Sequence, residues 1–328
     1  EQSCLTYKFR SFKMKKQLLI AAVAATMTSV AFADISLTGS MKVNYKNTDT
    51  NGATVDTVTQ EGDLVLTGTN GATKVHVEVS IDGGVSSADA GTSSNNMRTE
   101  DVWLSTKIGD VAVKTGTWNP ADTIFADNAT RTNGNWILST PVSGVKISLE
   151  GDSETSATTT AISGDIAGVA GTFKMKTASD ELYLSSDVAG FGVTYAMIDA
   201  DATDKSAAAF TISKEFNGVT VSYSDVDADT GYTVTGDTAA FGDATGFMTV
   251  GDDASAIKLA TSMGGNKVSA RFVSVDGLDA NTDVDVNTFT VTRPLANGTT
   301  LEVTYTDTDK TGSTNDKEVL DVELAVKF

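Results

Sequence analysis

Cysteine is almost missing from this chain of 328 residues, the single one being Cys4 near the amino end. Disulfides therefore cannot staple the fold, and backbone pairing and packing must hold it. Histidine is equally scarce, with His76 alone, so the spacing of residues offers no metal-ligand cluster and no catalytic constellation; no cofactor is expected. A hydrolytic pair of His76 with a nearby serine is a far weaker reading than a lone histidine bonded to water. Basic side chains number 24 against 43 acidic ones, which argues against nucleic acid as a partner. There is no glycine-rich phosphate loop. Beyond residues 18–30 the chain has no apolar run of the 18 or more residues that a membrane helix needs.

What is present begins with an export signal. Met14-Lys-Lys-Gln opens a basic segment, Leu18 to Val30 is apolar, and Ala31-Phe32-Ala33 is a small-residue cleavage site. Residues 1–13 read as an upstream remnant, 14–33 as a cleaved signal peptide, and 34–328 as one domain. Cleavage would remove five basic residues and one acid, leaving 19 basic against 42 acidic and a net charge of −23.

The mature part alternates apolar and polar residues with a period of two. Ile35, Leu37, Met41, Val43 and Tyr45 share one face; Val75, Val77, Val79 and Ile81 repeat the pattern, as do Phe191, Val193, Tyr195 and Met197. It runs to the carboxyl end, where Val322, Leu324, Val326 and Phe328 oppose Asp321, Glu323 and Lys327. These segments are about ten residues long, the length that crosses a bilayer at a tilt. Tight turns are expected at Asn70-Gly71, Gly109-Asp110, Asn217-Gly218, Gly264-Gly-Asn266 and Asn297-Gly298. Longer polar connections are expected over 47–60, 82–99, 199–206, 277–287 and 306–317. Pro141 and Pro294 fall in predicted short turns, while Pro120 opens a long loop. Alternating short and long connections define an all-β, transmembrane antiparallel β-barrel with short periplasmic turns and long outer loops. The length accommodates 16 strands or 18 with shorter loops.

This layout resembles the general porins of Gram-negative bacteria, in particular the small, acidic alphaproteobacterial kind. The likeness rests on the terminal strand, on the alternating connections, and on the hairpin Val102-Trp-Leu-Ser-Thr-Lys-Ile-Gly-Asp-Val-Ala-Val-Lys-Thr-Gly-Thr117. It implies a water-filled homotrimeric channel, sixteen strands in preference to eighteen, and Phe328, Val326, Leu324 and Val322 as the signal read by the barrel assembly machinery. It also implies that Trp118 to Asn135 folds into the barrel as the third loop, carrying Asp122, Asp127 and Arg131. Such sequences have a Gly-Arg pair where this one reads Lys114-Thr-Gly116, so the usual wall arginine is not at that place.

Parity adds the lumen side. If Ile35, Val75 and Val111 face lipid, then Lys42, Lys74, His76 and Lys114 face inward, opposed at the pore constriction by Asp122 and Asp127. The aromatic residues Tyr45, Tyr183, Tyr195, Phe210, Tyr223, Phe272, Phe289, Tyr305 and Phe328 are expected at strand ends or on the lipid side, as girdles. Acidic loops, including Asp225-Val-Asp-Ala-Asp-Thr-Gly231, read as solvated mouths favouring cations over a dedicated Ca²⁺ site. The expected function is passive diffusion of small hydrophilic solutes and ions across the outer membrane, whose lipid is the other partner. A cell-surface structural or adhesive β-protein is the alternative, and it gives no reason for lipid-facing alternation.

Overall fold

The computed structural model describes residues 34–86, 94–118, 132–153, 158–176, 179–200, 205–228, 253–276, 283–311 and 316–328. The expected signal peptide lies outside them. Eighteen antiparallel strands form one sheet in which every strand pairs with its sequence neighbour and β1 (Asp34–Thr50) also pairs with β18 (Lys317–Lys327). The sheet is thus closed and has no edge.

The first half of the barrel is β2 (Ala53–Asn70), β3 (Thr73–Ser86), β4 (Ser94–Ile108), β5 (Val111–Trp118), β6 (Thr132–Val142), β7 (Val145–Gly151), β8 (Thr158–Ile166) and β9 (Val169–Met175). The second half is β10 (Asp180–Val188), β11 (Phe191–Ala200), β12 (Lys205–Phe216), β13 (Val219–Ala228), β14 (Asp253–Met263), β15 (Asn266–Asp276), β16 (Val284–Pro294) and β17 (Thr299–Lys310). Connections on the rim where β18 ends span two residues, or four between β16 and β17; on the far rim they reach 13 residues at 119–131 and 24 at 229–252.

The count is eighteen, not the sixteen that the resemblance favoured. The difference lies in hairpins that sequence patterning left faint. The turns Ala167-Gly168 and Ala189-Gly190 put alanine at φ 55° and 54°, a left-handed conformation that costs a Cβ-bearing residue about 1–2 kcal/mol. An aspartate two residues before each alanine offsets that cost: Gly168 N–H donates to Asp165 Oδ1 at 3.0 Å, and Gly190 N–H to Asp187 Oδ1 at 3.0 Å. Asp49 takes the Gly52 N–H at 2.7 Å in the same manner on the far rim.

The stretch 47–60, expected as a loop, is instead a continuation of the β1–β2 hairpin through the two-residue turn Asn51-Gly52. Polar cross-strand bonds carry it: the Tyr45 hydroxyl and the Asn47 amide both donate to Asp56, at 2.9 and 2.6 Å. The Asn47 amide first, then the Tyr45 hydroxyl, hold the Asp56 carboxyl below the ordinary carboxylate range. Strands likewise run into the expected loops 82–99, 199–206, 277–287 and 306–317, leaving shorter connections. Pro141 and Pro294 close strands β6 and β16 at their last turn-side residues rather than sitting in the turns.

Apolar residues of one parity lie on the outside. Ile35, Leu37, Leu64, Ile81, Leu104, Leu138, Ile257 and Leu324 are all exposed on that face. A girdle crosses neighbouring strands in register, Tyr195 beside Phe210, Phe289 beside Tyr305, and Tyr45 beside Val322. Tyr183 departs from the expectation: it pairs with Ala196 on the interior face and packs on buried apolar residues there. From Ile35 to Tyr45 is ten residue steps, and at about 3.3 Å per residue and a tilt of about 40° the band is about 25 Å tall. Above the girdle the exterior turns acidic, with carboxylates opposed directly at Asp253–Asp276, Asp285–Asp309 and Asp307–Glu318. Like charges so placed repel, and exposure to water is what makes them tolerable.

Closure depends on a small residue. Phe328 and Gly39 exchange both backbone hydrogen bonds, at 2.9 and 3.0 Å, and the Phe328 ring lies where a Cβ on Gly39 would come within 2.6 Å of it. Replacing Gly39→Val is expected to destabilise the closed barrel by about 1–3 kcal/mol. The measurement is the temperature at which the purified protein loses its folded electrophoretic mobility; an unchanged temperature would show the ring plays no part in the seam.

Candidate functional site

The interior has two unlike walls. Along β11–β16 the half nearer the long connections is small and apolar, with Ala196, Ala209, Val226, Ala256, Val275 and Val286 almost fully buried on the inward face, while Lys258 and Arg271, opposite one another, face inward nearer the short turns. Along β1–β5 the interior is charged. Lys42 Nζ pairs with Glu61 at 2.7 Å, and Asp63 accepts hydrogen bonds from Ser40 at 3.1 Å and Ser80 at 2.8 Å. Arg98 bridges to Asp82 at 3.1 Å and also pairs with Glu100. Beyond β16, hydroxyls form an inward ladder, Thr290 with Thr304 at 3.1 Å and Thr292 donating to Glu302 at 2.8 Å.

The centre of the charged wall is Trp103. Its ring stacks on His76 with centroids 4.8 Å apart and planes 8° from parallel. Lys74 Nζ lies 5.4 Å and Lys114 Nζ 4.6 Å from that ring, and Lys114 is also 4.1 Å from the ring of the buried Trp118. Cations over indole faces are attracted by the ring quadrupole, so the two lysines are held flat against the wall. His76 Nε2 is 3.5 Å from Glu78.

Local backbone geometry builds this arrangement. The β3–β4 register shifts between Val77 and Val79, so that Val77 faces Val102 while Val79 faces Thr99. Glu100 and Asp101 share the space of one residue, and such a bulge re-aims side chains. Opposite Trp103 stands Gly116, at φ 139°, where an added Cβ would sit 2.1 Å from the Val102 carbonyl oxygen. Only glycine allows β5 to lie that close to β4. The stems of the next connection are tied as well, Asn135 Nδ2 donating to the Trp118 carbonyl at 2.9 Å.

Of the residues named from sequence, Lys74, His76 and Lys114 come together around Trp103. Lys42 stands apart: its partner Glu61 is in register with Asp82, eight residues along β3 from Lys74. Asp122, Asp127 and Arg131 lie outside the described residues. Trp103, Trp118, Glu61, Asp82, Glu100, Asp101 and Arg98 were given no role by the sequence. Arg98 in particular was hidden in a stretch read as loop, and parity counted from Trp103 points it outward, whereas the bulge turns it inward. His76, Glu78 and Asp101 bring three possible ligand atoms within 4.8 Å of one another, a cluster that linear spacing did not suggest.

The barrel matches porin structures. Over 90% of this chain it superposes on 99% of Pseudomonas aeruginosa OpdQ, with a TM-score of 0.68 and 11% identity. OccK9 (OpdG) of the same organism gives a TM-score of 0.70 at 12% identity, covering 90% of this chain and 98% of its own. OccK2 (OpdF) in complex with glucuronate gives 0.66 at 12% identity over the same shares. No family model matches the chain and no curated protein matches its sequence. At such identities the common property is the fold.

Substituting Gly116→Ala is expected to cost at least about 2 kcal/mol through the strained φ and the carbonyl clash. It should also change the tryptophan fluorescence that the His76–Trp103 stack shapes; thermal unfolding and emission spectra check both.

Proposed function

We propose that the chain is an outer-membrane porin that lets small hydrophilic solutes and ions diffuse passively. The observation that carries this is the closed eighteen-strand barrel with an apolar exterior band and a charged interior wall. In lipid only helices or closed barrels satisfy every backbone group, and an interior lined by charge has a use only where water reaches it. The aqueous path runs along the β1–β5 wall, where ion pairs face the interior. There the arrangement of Lys42, Lys74 and Lys114 among Glu61, Glu78, Asp82 and Asp101 gives a mixed field. With Asp122 and Asp127 on the third loop and Arg131 beside them, these residues form the pore constriction. Carboxylates at the far rim raise the local cation concentration and bias conductance toward cations. The bound glucuronate of OccK2 is in keeping with small polar cargo. In this reading residues 14–33 are removed on export, the Phe328 strand serves as the assembly signal, and three copies associate as in the general porins.

Planar-bilayer recording tests the proposal. Purified protein should insert with stepwise conductance in groups of three and a reversal potential of cation sign; a protein that inserts without conducting overturns it. The double variant Lys42→Gln, Lys114→Gln should raise the cation-to-anion permeability ratio by about twofold or more. Asp122→Asn with Asp127→Asn should lower it, and an unchanged selectivity removes the third loop from the constriction.

A further inference from the structure

We infer that His76, Glu78 and Asp101 form a binding site for a first-row divalent cation, Zn²⁺ being the type case, on the interior wall of the barrel. The site deepens the porin reading but is tested apart from it. Three observations combine. First, the donor set is one imidazole and two carboxylates whose ligand atoms all lie within 4.8 Å of one another. Zn²⁺ binds nitrogen and oxygen ligands at about 2.0–2.2 Å, which places tetrahedral ligand atoms about 3.4 Å apart. The His76 Nε2 to Glu78 separation of 3.5 Å already meets that spacing, and rotation of the Asp101 carboxylate closes the rest. Second, Asp101 has the parity of the inward Trp103 and stands opposite Glu78, where the bulge in β4 seats it together with Glu100. Third, the ring of His76 is fixed by its parallel stack on Trp103, so the imidazole is pre-oriented and little rotamer freedom is lost on binding.

With three protein ligands a tetrahedral ion keeps one further position, for water or a passing anion. Lys114 lies within electrostatic reach of Asp101 and Lys74, and both lysines rest over the Trp103 ring on which His76 stacks. Their charge opposes the cation and sets a reversible affinity, suited to modulating a channel rather than to holding a permanent structural ion.

The test uses the full chain purified in detergent, titrated with Zn²⁺ by calorimetry at neutral pH. The expected result is one equivalent per chain, weakened at least tenfold by His76→Ala and by Asp101→Asn and tightened several-fold by Lys114→Gln. Glu302→Gln, on another part of the interior, should leave the titration unchanged. Folded electrophoretic mobility shows that each variant is assembled. Co²⁺ in place of Zn²⁺ should quench tryptophan emission in the parent and not in His76→Ala, because Trp103 adjoins the ligand. In bilayers the same Zn²⁺ concentrations should reduce single-channel conductance of the parent alone. Equal heats for the parent and His76→Ala, or no heat at all, overturn the site; Zn²⁺ binding by a protein that never conducts overturns the pore and leaves the site standing.

Discussion

Everything in this molecule depends on the absence of a sheet edge. Each strand has two hydrogen-bonded neighbours, and the eleven paired positions between β1 and β18 complete the ring. With no disulfides to close it, the seam rests on backbone bonds and on the fit of the Phe328 ring over Gly39. Once the ring is closed, side chains have only two directions to go. The period of two then separates an apolar exterior from an interior that can be polar, and a slip of one residue would exchange them.

Within that frame, local irregularities make the site. A regular β3–β4 ladder would give an ordinary alternating wall. The bulge opposite Glu78 and the glycine opposite Trp103 instead gather a tryptophan, a histidine, two lysines and several carboxylates into one patch. The opposite wall holds a buried cluster of alanine and valine near the long connections, with Lys258 and Arg271 inward beside it.

The fold was legible in the sequence because alternation is a property of neighbouring residues. Ile35 to Tyr45 and Leu320 to Phe328 announce both their strand character and their outward face, and parity put Lys42, Lys74, His76 and Lys114 on the inward side of their strands. Strand number was less legible. Ala167 and Ala189 carry no turn signature by themselves, and the aspartates that support them act across three residues. The site was legible only in part. Arg98 and Glu100 reach it through a register shift, which depends on the partner strand and leaves no periodic trace. Tyr183 was legible by the same parity, since its neighbours Leu182 and Leu184 are exterior and turn it inward, but an aromatic residue was expected outside or at a strand end.

The aspartate clasp that supports Gly52, Gly168 and Gly190 is complete within four residues and asks nothing of the strands beyond its own pair. A hairpin carrying one is a self-contained module. Barrels assembled from such modules can widen or narrow by whole hairpins, two staves at a time, while the seam and the inward patch keep their own chemistry. Circumference and selectivity then become separable traits, each free to drift without undoing the other.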